Sequence, residues 1–154
     1  MYEEIITSIY NVIAFIIIYM KNSKIVFFDG VCNFCNATVD FIWRHNKKRN
    51  LYYASLQSDV SKEKLLRRGV DDMTLRTIYY YDGHKVYEKS QAVFMISTNL
   101  DGIFYPLLAK IALIIPRIIS DYFYEIISKN RYRIMGKRDS CRIPSTEENE
   151  FFLD

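Results

Sequence analysis

The sequence predicts one α/β domain whose elements run strand, helix, strand, helix, strand, strand, helix. Three observations carry this reading. Short apolar or aromatic runs at 25–28, 51–54 and 75–81 alternate with longer stretches of helical period. Asp-Gly pairs follow strands at Asp29-Gly30 and at Asp82-Gly83. Cys32 and Cys35 fall where the first strand gives way to the first helix, so a Cys-x-x-Cys pair meets the unpaired N–H groups of a helix start.

Residues 1–22 stand apart from this pattern. No charge occurs from 5 to 20. A secretory signal does not fit, because Glu3 and Glu4 replace a basic n-region and no small-residue cleavage site follows. Two readings stay open. The stretch is short for a membrane span, which needs about 20 apolar residues. Alternatively it is an amphipathic helix with Ile5, Ile9, Val12 and Ile16 on one stripe, packed on the domain or lying on a membrane. Membrane association through 5–20 is therefore one expectation, and Lys21 and Lys24 would then hold the following domain on the cytoplasmic side. Three cysteines are few and odd in number for a secreted scaffold, which also points to the cytoplasm.

The strand at 25–28 ends at Asp29-Gly30, and a helix follows to about Asn46 with Val39, Ile42 and Trp43 inward. The helix start favours a thiolate at Cys32, whose sulfur is expected to face solvent and attack. Cys35 shares the buried face with Val39 and Ile42, so it is expected to be covered and to resolve the mixed disulfide. Arg44, His45, Lys47, Lys48 and Arg49 read as a solvated helix end, with a patch for anionic lipid or an acidic partner as the alternative.

Residues 51–54 form a strand, and Ser58-Asp59 start a helix that reaches Arg68 and ends at Gly69. Residues 75–81 and 85–88 pair as a hairpin through Asp82-Gly83-His84. Ser90 is expected to cap a helix through Asn99. Residues 104–129 are helical with a break at Pro116. Leu107, Leu108, Ile111, Ile114 and Ile115 form a broad apolar face there, read as core packing, with a groove over the site or a membrane contact as the sharper alternatives. Residues 131–142 read as a basic loop holding Cys141, and an acidic tail with Phe151 and Phe152 closes the chain. The division is then 1–22, an apolar helix; 23–144, the domain with its helical extension; and 145–154, the tail.

Asp29-x-x-Cys32-x-x-Cys35 resembles the motif that names the DCC family of thiol-disulfide oxidoreductases. Ala54-Ser55-Leu56-Gln57-Ser58, Asn130-Arg131-Tyr132-Arg133 and the run from Gly136 to Pro144 are similar to that family as well. The resemblance begins near Lys24 and implies a thioredoxin-like fold, whose element order agrees with the one read from periodicity. Its substrates are undefined. Thioredoxins face their cysteine pair with a cis-proline before the third strand. This chain has no proline before Pro106, which puts Met73 or Thr74 in that neighbourhood.

The reading that follows is a thiol-disulfide oxidoreductase acting through Cys32 and Cys35 on protein or small thiol substrates. A reductant or oxidant must recycle the pair, and no external cofactor carries the chemistry. Asp29 has two open roles: turn former and helix cap, or proton relay to Cys35. Cys141 is either a third redox thiol, favoured as thiolate by Arg131, Arg138 and Arg142, or an inert buried side chain. A net charge of +3 is too small to argue for nucleic acid. The alternative class is a non-catalytic metal-binding or membrane-associated interaction module. For zinc, Cys141, His45 and His84 are the remaining ligand types.

Overall fold

The structure, a computed structural model, describes residues 24–153. The apolar stretch at 5–20 lies outside them. Strand β1 (Lys24–Phe28) is buried on both faces, as a central strand made of Ile, Val and Phe should be. Ile25 and Phe27 pack on one side with Leu56 and Leu65; Val26 and Phe28 pack on the other with Val39, Ile42 and Ile96.

Strands β2 (Leu51–Ser55), β3 (Tyr79–Tyr81) and β4 (Val86–Glu88) complete a four-stranded sheet in the order β2-β1-β3-β4. The pair β1–β2 is parallel and the other two are antiparallel. Helix α1 (Asn33–Arg44) crosses between the parallel strands, and α2 (Asp59–Leu66) and α3 (Lys89–Ser97) follow the expected order. Ser58 caps α2 by accepting from the Ser61 N–H, and Gly69 at φ +81° ends the turn after it. Phe28 stands beside Ser55 in the register, so the turn at Asp29 and the one after β2 emerge side by side at the C-terminal ends of the strands.

The expected strand at 75–81 is shorter, beginning at Tyr79. Its first half finds other partners. The Ile78 N–H donates to the Tyr124 hydroxyl (2.9 Å), and the Leu75 and Arg76 carbonyls accept from Arg131 and Ser128. All three side chains lie on α5 (Arg117–Met135), the second of two C-terminal helices after α4 (Phe104–Ala112). Helix α5 therefore runs through Arg131, where the sequence suggested a loop. Ser90 does not cap α3, which starts at Lys89 with Glu88 as N-cap; its hydroxyl bonds to Asp121 and Ser120.

The face of Leu107, Leu108, Ile111, Ile114 and Ile115 is exposed and not core. The acidic C-terminal segment, set apart in the sequence reading, folds back on β2: Leu153 N–H donates to Tyr53 O (2.9 Å), and Phe152 packs into the core against Phe28 and Tyr53. Arg49, grouped with the solvated cations, stacks its guanidinium 3.4 Å above the Trp43 ring centre.

Candidate active site

Cys32 is the N-cap of α1, and its sulfur accepts from the Cys35 N–H at 3.1 Å. The side chain of Cys35 bonds to the same sulfur, and this contact most of all lowers the Cys32 pKa from 9.0 to about 7. The Cys35 N–H and the Arg131 cation act in the same direction, while burial and Asp29 oppose them. For Cys35 the hydrogen bond to Cys32, burial and the Cys32 charge all raise the pKa well above the ordinary thiol range. One proton is thus shared unequally: Cys32 carries the charge and Cys35 keeps the hydrogen.

Access does not follow this assignment. Cys32 has 0% exposure, whereas Cys35 is half-buried and lines an apolar pocket of about 70 Å³. The expected solvent-facing Cys32 and the expected covered Cys35 are therefore both corrected. The cover is the segment after α5. Lys137 forms a β-bridge with Cys32, the Arg138 N–H donates to Val31 O (2.8 Å), and the Asn33 N–H reaches Gly136 O (3.4 Å). Asn33 locks this strap by donating to Met135 O (2.9 Å) and accepting from Arg138 Nε (2.8 Å).

Asp29 is 98% withdrawn from solvent and does not cap the helix, since Cys32 does. Its Oδ1 accepts from Val31 N–H and from Gln57 Nε2 (2.7 Å), which makes it the turn former that its position suggests. Its Oδ2 accepts from Arg131 Nη2 (2.6 Å) and from the Tyr132 hydroxyl. The Gln57 Oε1 in turn accepts from the Gly30 N–H and the Ser55 hydroxyl. Asn36 ties the turn to the helix by donating to the carbonyls of Gly30 and Cys32, both at 2.9 Å. Gly30 is needed because a Cβ there would lie 2.6 Å from Ser55 Oγ and 3.2 Å from Cys141 Sγ.

One Asp29 oxygen and the sulfurs of Cys32 and Cys35 lie within 4.8 Å of one another. Among the described residues no other acidic, Cys or His group of this kind occurs, and Cys141, His45 and His84 do not join it. Cys141 sits behind the site, its sulfur 3.6 Å from Ser55 Oγ. The Arg142 guanidinium beside it pairs with Asp40 (2.6 Å) and Glu148. Thr77 and Ile78, not Met73 or Thr74, line the Cys35 pocket from before β3, together with Leu75, Phe34, Tyr124 and Ile127. The peptide bonds of the described residues are all trans.

The sequence pointed to Cys32, Cys35 and Asp29 but gave no role to Gln57, Asn36 or Tyr132, and it set Arg131 beside Cys141, whereas Arg131 pairs with Asp29. The signal for most of them was present. Gln57, Arg131 and Tyr132 lie inside the short motifs after the cysteines, and those motifs converge on the Asp29 carboxylate.

A family model, DCC1-like thiol-disulfide oxidoreductase, matches residues 26–137. A chloroplastic DCC family protein of Arabidopsis thaliana is 35% identical over 119 residues, which cover 77% of this chain and 69% of that protein. An uncharacterized protein of Bacillus subtilis, YuxK, is 30% identical over 131 residues, covering 85% of this chain and 94% of YuxK. No solved structure matches the chain. With its close cysteine pair at the start of α1 and a match across most of its length, the chain belongs to the DCC1-like thiol-disulfide oxidoreductase family.

Proposed function

We propose that the protein exchanges disulfides through Cys32 and Cys35 on a thioredoxin-like scaffold. The observation that carries this is the geometry of the pair: Cys32 is the N-cap of α1, its sulfur accepts from the Cys35 N–H at 3.1 Å, and the two sulfurs lie within 4.8 Å of each other. The strand order β2-β1-β3-β4 around a parallel β1–β2 pair supports the scaffold.

The chemistry runs in two balanced steps. The Cys32 thiolate attacks one sulfur of a substrate disulfide, a mixed disulfide forms, and the other substrate sulfur leaves as thiolate. Cys35 then loses its proton and attacks the Cys32 sulfur. The Cys32–Cys35 disulfide forms, the second substrate sulfur is released, and the substrate has gained two electrons. A dithiol reductant returns the pair to its starting state, and the reverse sequence oxidises a substrate dithiol. Because Cys32 is covered, the Gly136–Arg138 strap must lift before attack. Gly136, at φ +79° between α5 and the strap, is the natural joint.

In this scheme Asp29 is a positioning residue that holds the Arg131 cation and the Gly30 turn in place. A second reading, proton relay from Cys35, rests on the 4.8 Å grouping of the carboxylate with both sulfurs.

The test compares Cys32→Ser with Cys35→Ser on non-reducing gels of cell extracts. Cys35→Ser keeps the nucleophile without its resolving partner and should accumulate mixed disulfides. Cys32→Ser should trap little. Equal trapping by both, or a wild-type pair that never oxidises, sinks the assignment.

A further inference from the structure

The redox chemistry leaves the outer face of α4 and α5 unused. A surface helix normally turns its apolar stripe toward the core. Helix α5 does the reverse. Inward it offers Ser120, Asp121, Tyr124, Ser128 and Arg131, which bond to α3, to the segment before β3 and to Asp29. Outward it carries Ile118, Ile119, Tyr122, Phe123 and Ile126, one continuous stripe at helical spacing, all exposed. Helix α4 extends the surface with Phe104, Leu107, Leu108 and Ile111, and Ile114 bridges the two helices. Ile114 and Ile118 are 81% and 85% exposed. Large apolar side chains exposed together along two consecutive helices mark a binding surface.

Charge identifies the occupant. Of the seven Lys and Arg in 104–138, Arg131 is buried against Asp29, while Arg117 and Lys129 pair with carboxylates; Lys110, Arg133, Lys137 and Arg138 are exposed and join none of the ion pairs of the described residues. The two acidic residues of this stretch are engaged within the protein: Asp121 by Ser90 and Arg117, Glu125 by Lys89 and Lys129. Lys110 and Arg133 are exposed on the two helices. Apolar stripes with aromatic side chains and a basic surround are the pattern of helices that lie in the interface of an anionic bilayer.

We propose that the outer face of α4 and α5 docks the domain on an anionic lipid surface, both helices lying in the interface plane. Ile127, exposed next to Ile126 at the edge of the stripe, also lines the Cys35 pocket, so docking brings the mouth of that pocket close to the membrane. The docking surface itself does not depend on the redox reading.

The experiment is sedimentation of the full chain with vesicles of phosphatidylglycerol and phosphatidylcholine, and with phosphatidylcholine alone. The wild type should sediment with the anionic vesicles and be released by salt. Ile114→Glu with Ile118→Glu should weaken binding about tenfold or more, because both side chains are stripe residues. Lys110→Glu with Arg133→Glu should remove the preference for anionic lipid. All four positions are exposed, and urea unfolding midpoints should stay near wild type. Three outcomes overturn the proposal: no vesicle binding by the wild type; unchanged binding by the isoleucine pair, which would assign binding to 5–20; or a dimer by light scattering that the isoleucine pair dissociates without any effect on vesicles.

Discussion

Arg131 and Asp29 form a buried ion pair, Nη2 to Oδ2 at 2.6 Å, that joins the last long helix to the end of the first strand. The side chains are 4% and 1% exposed. Two ions so far from water are held only because each is also hydrogen-bonded: Arg131 donates to Leu75 O, and Asp29 accepts from Gln57 and Tyr132. The Arg131 end of the pair favours the Cys32 thiolate, and the Asp29 end opposes it.

Arg131→Met should therefore act twice. Stability should fall by about 3 kcal/mol, because Asp29 is left charged and buried without its partner. The Cys32 pKa should rise, since a cation that lowers it is gone. Urea unfolding and the pH profile of Cys32 alkylation measure the two effects. A loss below about 1 kcal/mol, the value of an exposed pair, would mean the site reorganises and the ion pair is not structural.

Asp29→Asn should move the Cys32 alkylation profile to lower pH, because the Asp29 charge opposes the thiolate. As a positioning residue, Asp29 should leave resolution of a mixed disulfide by Cys35 close to its wild-type rate. A proton relay would instead slow that step by about 10²-fold or more. Stopped-flow resolution of a preformed mixed disulfide separates the two roles.

The stability of the reduced protein should depend on pH in a defined sense. Cys32 has a folded pKa of about 7 against an ordinary 9.0. Its lowered value contributes stability that is fully present above the unfolded pKa and lost as pH falls through 7. Relative to Cys32→Ser, the reduced wild type should gain ~2 kcal/mol between pH 7 and 9. Cys35 has a raised pKa, so its contribution is lost above the unfolded value, and the gain should reverse above about pH 9. A flat difference between the two proteins across this range contradicts the unequal pair.

Gly136→Ala should loosen the strap. The backbone there is at φ +79°, ψ 179°, a region that side chains other than Gly's enter at a cost of roughly 1–3 kcal/mol. Space is not the obstacle, since the nearest atom to the added Cβ is Asn33 Nδ2 at 3.5 Å. Alkylation of Cys32, read by peptide mass spectrometry, should become faster while Cys35 changes little. Slower alkylation would argue that the strap presents Cys32 instead of covering it.

Zinc content offers an independent check on the metal-binding alternative. The Asp29, Cys32 and Cys35 atoms are close enough to share an ion, but Asp29 is already committed to Arg131 and Tyr132, and Cys141 does not join them. Protein purified under reducing conditions should hold far less than one zinc per chain. Near-stoichiometric zinc would replace the redox reading with a structural one.

What the sequence determined alone was local. The central apolar strand, the Asp-Gly breaks, Ser58 as a cap and Cys32 at a helix start each rest on backbone rules that act within a few residues. The element order through α3 follows from the same rules. The tertiary structure decided what pairs at long range. Arg131 and Asp29 are 102 positions apart, and no periodicity announces that an arginine in a basic stretch will be buried beside a carboxylate. The shortened β3 has the same origin, because α5 side chains satisfy the backbone that a strand would otherwise have paired. So does the covered Cys32: a helix start tells where a thiolate is stabilised, but only the path of the chain after α5 tells what lies over it. Helical period likewise marked an apolar stripe on α4 and α5 without marking its direction. The inward side went to the polar groups that hold Asp29 and the segment before β3, and this turned the apolar side toward solvent.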